Sequence, residues 1–286
     1  MKLSLGTAQF TDSYGILSNQ EYSLNQNQNE ISKIVQFSRV SGINMIDTAQ
    51  AYTGSEEIVG NQFDNDFDVV TKININYKCE NEREILNNIN LSLKRLRRKS
   101  LHGLLVHDSS LMLGKYAENL YKLLIMCKEK GIVKKIGISF YSPQDYLNIN
   151  SKFKFDIVQA PVNIFDQRLI SSGLLEKLKT NNIEIHARSI FLQGILLCKQ
   201  KQLPKRFDKW RQQWGNYHNW LNEHSLSPID GCLSFLKSIH GIDYAVVGFE
   251  SLSQLKMIYT SFNKETIIQE NNLASSDLLL IDPRTW

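Results

Sequence analysis

Eight short apolar runs recur along the chain: Lys2–Gly6, Ile43–Ile46, Phe67–Thr71, His102–Val106, Val133–Ile138, Asp156–Ala160, Ile183–Ala187 and Asp243–Val247. Each is of strand length, and several are rich in valine and isoleucine. Between them the apolar positions change to helical spacing. Ile31, Ile34, Val35 and Val40 form one such face ahead of Gly42, and Ile85, Leu86, Ile89, Leu93 and Leu96 form another. The patterns at Lys115–Gly131 and Ser225–Gly241 each end on a glycine stop. Strands alternating with helices pair in parallel through right-handed crossovers. Eight such units predict an α/β fold, the (β/α)8 barrel, as a single domain over residues 1–286. A doubly wound sheet is the alternative, but LGTAQFTDSYG after the first run is not its glycine-rich fingerprint.

Two stretches depart from the rhythm. Residues 196–228 form a long loop after the seventh strand and hold three of the four tryptophans. Phe207, Trp210, Trp214 and Tyr217 recur there at helical intervals, which predicts a short amphipathic helix serving as rim packing or as a lid. Past an eighth helix at Leu252–Phe262, the tail 263–286 shows no strand or helix pattern and ends on Trp286, a large apolar group rarely left in water.

Composition narrows the class without changing it. A net charge of +4 is too small to indicate a nucleic-acid partner. The densest basic run, Lys94–Ser100, ends a predicted helix, where cations favour the free carbonyls, and reads as a solvated face. Cys79, Cys127, Cys198 and Cys232 lie far apart without metal spacing, as expected of reduced, separately buried thiols. The N-terminus is too short in its apolar run for a signal peptide, and no run approaches the ~18 apolar residues of a membrane helix. A cytoplasmic chain with no membrane partner is expected.

Candidate chemistry collects at the strand ends, where parallel barrels carry their sites. Asp47 follows the second run, Lys72 the third and His107 the fourth, while Tyr52 lies in the loop after Asp47. A phenol titrates near pH 10 and is a slow acid at neutrality. A neighbouring ammonium lowers that value, and a carboxylate keeps the ammonium charged away from water. A histidine opposite orients a carbonyl oxygen toward the phenol. Such a set protonates a developing alkoxide, as hydride reduction of a carbonyl requires.

DTAQAY at Asp47–Tyr52, Thr71–Lys72, and LLVHD containing His107 together resemble the aldo-keto reductase family, and the likeness continues through GIVKKIGIS, FDIVQAPVN and VVGFES. The resemblance implies Tyr52 as general acid/base, Lys72 and Asp47 tuning it, and His107 orienting a small carbonyl substrate. It implies NADP(H) or NAD(H) as cofactor. Ser139 and Gln159 match the positions that bond the nicotinamide carboxamide. Arg188 stands where an aromatic ring commonly stacks on the nicotinamide, and a guanidinium plane also stacks. Gln193 and Gly194 begin the pyrophosphate loop, and Gly6, Thr7, Gly248 and Glu250 complete the cofactor set. The C-terminal segment commonly folds over the mouth in the family, which would make Trp286 a wall of the substrate pocket; the alternative is a plug on the outer surface.

The chain departs from the family pattern in four places. Phe140 follows Ser139 where asparagine is frequent, and Thr53 stands before Gly54 where glycine is usual. Met257 and Ile258 replace a polar pair that often contacts adenine. Glu250 occupies a position where NADP-dependent members carry a cation, so NADPH would be disfavoured. The activity implied is reduction of an aldehyde or ketone. The RSIFLQG stretch is similar to family members associated with bacterial surface-sugar pathways, which implies a keto-sugar. A sugar lyase or dehydratase using the same four residues, or a non-catalytic binding protein, are the alternatives.

Overall fold

The computed structural model describes residues 1–11, 27–74, 82–266, 268 and 272–286. Eight parallel strands, β1 (Lys2–Gly6), β2 (Met45–Asp47), β3 (Asp68–Ile73), β4 (Leu101–Val106), β5 (Val133–Ser139), β6 (Ile157–Pro161), β7 (Glu184–Arg188) and β8 (Tyr244–Gly248), close a barrel in sequence order. β1 pairs with β8 to complete the ring. The helices that follow the strands are α1 (Gln28–Val40), α2 (Ser55–Gln62), α3 (Glu82–Leu96), α4 (Ala117–Glu129), α5 (Pro143–Asn150), α6 (Arg168–Ser171), α7 (Leu174–Thr180), α8 (Arg211–Glu223), α9 (Pro228–Ser238) and α10 (Leu252–Phe262). The alternation read from the sequence is thus a (β/α)8 barrel.

Strand side chains alternate between two faces, and that alternation sorts the barrel. Outward residues such as Leu5, Ile46, Val69, Leu104, Ile136, Val158 and Ile185 join Ile31, Ile34, Ile85 and Ile89 of the helices in one buried cluster. Inward, Met45, Val70, Leu105 and Ile157 make a separate cluster with Tyr244 against it. Gly137 makes room for this layer: a Cβ there would stand 2.7 Å from the Ile157 carbonyl oxygen. Two residues further along each strand, the same inward parity brings Asp47, Lys72 and Gln159 to the carboxyl end.

Several strands run one or two residues past the apolar runs, so Asp47 and Lys72 are strand residues rather than loop residues. Gly54 caps α2 in the left-handed region at φ 78°, which side chains disfavour. The tail differs from expectation by forming α11 (Leu278–Ile281) and a 3₁₀ turn at Pro283–Thr285. Asp277 caps α11 by accepting from the Leu279 amide, and Leu280 and Ile281 are buried, a tertiary gain that a four-residue pattern does not reveal. In the long loop, Phe207, Trp214, Tyr217 and Trp220 are buried along the 3₁₀ turn Lys205–Trp210 and α8. The Trp214 ring meets Phe165 with centroids 4.9 Å apart. Cys127 and Cys232 are buried free thiols, Cys198 is half-buried, and Cys79 lies outside the described residues. Among the described residues no helix is long and apolar enough to cross a membrane.

Candidate active site

A cavity of about 750 Å³ opens at the carboxyl end of the barrel. Asp47, Tyr52 and His107 line one end of it and Glu250, Gln254, Met257 and Ile258 another part, with Gly6, Thr7, Ser139, Gln159, Arg188, Gln193, Gly194 and Gly248 also in its walls. The structure therefore brings together all of the cofactor positions expected from the sequence and three of the four candidate catalytic groups. Lys72 is buried beneath them, at 1% exposure.

The floor is a polar network. Lys72 Nζ donates to Asp47 Oδ1 at 2.6 Å and to the Thr48 carbonyl at 3.0 Å. Gln159 Nε2 donates to the other carboxylate oxygen, Oδ2, also at 2.6 Å. Asp47 is thereby held by two donors from different strands. Thr7 Oγ1 donates to the Asp47 carbonyl at 3.1 Å and Ser55 Oγ to Thr7 Oγ1 at 2.7 Å, which ties the start of α2 to the ends of β1 and β2. Outside the barrel wall, on the opposite strand parity to Lys72, the buried Glu56 accepts from Thr71 Oγ1 at 2.7 Å and from Ser92 Oγ at 3.2 Å.

The Lys72 ammonium lies 5.2 Å from the centroid of the Tyr52 ring. The Tyr52 and His107 rings meet edge to face at 5.9 Å. The expected lowering of the phenol does not occur. Burial, followed by the Asp47 carboxylate, pushes the Tyr52 hydroxyl well above its ordinary value, and Arg188 only partly offsets this. Lys72 is engaged in a close ion pair with Asp47, and burial together with that carboxylate outweighs the cations at the phenol. His107 is pushed the other way, down to about 4, by burial and by the cations Lys72 and Arg188. Both groups are uncharged near neutrality, a protonated phenol beside a neutral imidazole.

Trp286 is not part of the cavity wall. Its ring packs on Phe207 with centroids 5.0 Å apart, and its Nε1 donates to the Leu279 carbonyl at 3.0 Å. The tail instead reaches the site through Arg284, whose guanidinium carbon lies 3.9 Å from the Tyr141 ring centroid. Tyr141 lines the cavity and was missed from the sequence. It keeps the inward parity of Ser139 two residues earlier, which is the signal that could have found it. Phe140, of opposite parity, is buried against the Tyr146 ring at 5.1 Å. Ile190, Phe191, Leu197 and Cys198 add an apolar side to the cavity.

The cavity fits an elongated ligand with a polar reactive end. Gln159 uses its amide nitrogen on Asp47, which leaves its carbonyl oxygen as an acceptor for a carboxamide. Leu192, Gln193 and Gly194 adopt positive φ (47°, 53° and 89°), and a Cβ at Gly194 would meet no atom within 4 Å. Backbone thus borders open space there, as a diphosphate needs. At the far end, the Leu252 amide of α10 donates to Glu30 Oε1 at 2.9 Å, and Ser251 Oγ accepts from the Gln254 amide. Among the described residues no group of three or more His, Cys, Asp or Glu side chains is placed to hold a metal ion.

Comparison with known proteins agrees with this architecture. The model of the aldo/keto reductase family matches residues 2–275. The chain belongs to that family. Among solved structures, a holo-form aldo-keto reductase from Bacillus halodurans is similar at 16% identity and a TM-score of 0.72, covering 93% of this chain and 88% of that one. A glycerol dehydrogenase from Gluconobacter oxydans is similar at 19% identity and a TM-score of 0.70, covering 93% and 87%. No curated protein sequence matches the chain.

Proposed function

We propose that this oxidoreductase reduces the carbonyl of a small aldehyde or ketone, with Tyr52 as proton donor and a nicotinamide nucleotide as reductant. The observation that carries the reading is the convergence of Tyr52 and His107 in one cavity above the buried Lys72–Asp47 pair, at 2.6 Å. When bound, the nucleotide supplies a hydride. The chain's own residues do the rest. His107, neutral, orients the carbonyl oxygen beside the phenol. Tyr52 keeps its proton until negative charge develops on that oxygen, because an alkoxide is far more basic than a phenolate. Lys72 and Asp47 form a fixed dipole under the ring, so the phenolate is met by preorganised charge rather than by water. Ser139, Gln159 and the turn at Leu192–Gly194 would hold the nucleotide.

Of the two nucleotides, the residues favour NAD(H). Glu250 lines the far end of the cavity, and the Glu30 carboxylate already occupies the start of α10. A 2′-phosphate dianion would meet two acidic side chains there. A keto-sugar remains the substrate class implied by the resemblance.

Tyr52→Phe tests the assignment. Loss of the hydroxyl should lower kcat for carbonyl reduction by about 10²–10⁴-fold, the usual contribution of general acid catalysis. Nucleotide affinity, followed by quenching of tryptophan fluorescence, should stay within about threefold, since only one ligand contact is lost. Near-native turnover in Tyr52→Phe would remove Tyr52 from the mechanism.

A further inference from the structure

Among the described side chains that form the wall and floor of the reacting end, the charges balance at all but one. Asp47 and Lys72 neutralise each other, and both carboxylate oxygens are committed at 2.6 Å. Tyr52 and His107 are uncharged near neutrality. Arg188, the last residue of β7, remains. Its Nη1 donates to Ser189 Oγ at 3.1 Å and its Nη2 to the Phe140 carbonyl at 3.2 Å, and its Cζ lies 3.9 Å from the Tyr141 ring centroid. All three partners are neutral. Nearby arginines are treated differently: Arg168 grips Asp166 through Nε and Nη2 at 2.8 and 2.7 Å, and Arg284 grips Asp282 at 3.0 and 2.6 Å. Among the described residues no carboxylate forms an ion pair with Arg188.

The cation is also held in position. Tyr141 supports its guanidinium, and Arg284 braces the same ring at 3.9 Å. A guanidinium carries five N–H donors in a planar fork suited to carboxylate or phosphate, and two of its hydrogen bonds to protein groups account for only part of them. An uncompensated charge in a partly desolvated wall is unfavourable until an anion meets it. Its field reaches the reacting groups, since Arg188 opposes protonation of His107 and offsets part of the rise at Tyr52.

We propose that Arg188 determines specificity by binding the carboxylate or phosphate of an anionic carbonyl compound while the carbonyl lies between Tyr52 and His107. This deepens the reduction proposed above and rests on it. The substrate class becomes an oxo-acid or a phosphorylated aldehyde or ketone, acidic or phosphorylated sugars included.

The test compares matched substrates in wild-type enzyme, Arg188→Gln and Arg188→Lys. Succinic semialdehyde against butanal probes a carboxylate, and glyceraldehyde 3-phosphate against glyceraldehyde probes a phosphate. In the wild type one pair should show kcat/KM favouring the anion by about tenfold or more, the value of a charge-assisted hydrogen bond. Arg188→Gln should collapse that ratio by about 10–100-fold, and Arg188→Lys should keep part of it, because it keeps the charge without the fork. The KM for the anionic member alone should rise with ionic strength. A wild-type ratio near one, or a ratio unchanged in Arg188→Gln, overturns the proposal. Weaker nucleotide binding with equal losses on both members would assign Arg188 to the cofactor instead. Binding of succinate or inorganic phosphate to the wild type and to Arg188→Gln, by calorimetry, separates the two readings. Arg188-dependent binding without reduction of any carbonyl keeps the anion site and removes the reductase reading. Reduction without charge preference does the reverse.

Discussion

Burial, the Lys72 ammonium and the Arg188 guanidinium all press on His107 in one direction, holding its imidazole down to about 4 against Asp47 and Asp108. In the unfolded chain the same ring takes a proton near pH 6.5. Between those values the unfolded state binds a proton that the folded state refuses, so the stability of the fold must fall as pH drops from about 6.5 to about 4 and level off below. The expected loss is on the order of 3 kcal/mol for this one group. Urea denaturation at pH 7, 5.5 and 4 should show it, and His107→Gln should flatten the slope over that window. A slope unchanged in the variant would mean that the ring is protonated in the fold. The same physics explains why Tyr52 was legible as a site residue while the sign of its shift was not. Asp47, Tyr52, Lys72 and His107 stand in recognisable order along the chain. The sign is set by burial and by the Asp47 carboxylate beside the ring, and both come from tertiary geometry.

At the scale of elements, the start of α10 is the most informative. Ser251 caps the helix, Gln254 Oε1 accepts from the Glu250 amide at 2.7 Å, and Glu30 reaches across from α1 to the Leu252 amide. A helix N-terminus attracts anions, and here a carboxylate of the chain has already taken that role. Glu250→Arg replaces a repelling charge with a bidentate phosphate partner. It should tighten NADPH by about tenfold or more, consistent with ~1.5–3 kcal/mol for a charged hydrogen bond, while changing NADH far less. Equal changes in the two dissociation constants, measured by fluorescence titration, would show that Glu250 does not face the 2′ position. Element boundaries were the less legible part. Apolar runs end where side chains become polar, but β2 and β3 continue because Asp47 and Lys72 satisfy each other inside the barrel.

At the scale of the whole molecule, the base of the barrel is closed by a second polar cluster, remote from the cavity. Glu184 on β7 bonds His102 Nε2 of β4 and His186 Nε2, each at 2.8 Å, and pairs with Lys135 of β5. Burial alone would raise the Glu184 carboxyl, yet these three donors overcome it and hold the group well below the usual carboxylate range. A depressed folded value contributes stability above the unfolded value of about 4.3 and loses it as pH falls further. Glu184→Gln should therefore cost on the order of 2 kcal/mol at pH 7, lower the melting temperature, and flatten the acid limb of stability below about pH 4.3. Catalysis at the opposite end should persist. An unaltered acid limb would show that the cluster does not couple to folding.

Local chemistry, written into the sequence, determined the strand and helix periods, the closed count of eight, and the order of Asp47, Tyr52, Lys72 and His107. Each follows from residue type and short-range spacing, which the chain carries whatever its partners in space. The tertiary structure decided the rest. Trp286 is far along the chain from Phe207, and only packing showed that it seats there rather than in the cavity. Tyr141 joins the site from just beyond the end of β5, and among the described residues Arg188 forms no ion pair, Asp47 being held by Lys72 and Gln159. Charge balance and burial are sums over neighbours distant in sequence, and no local pattern encodes them.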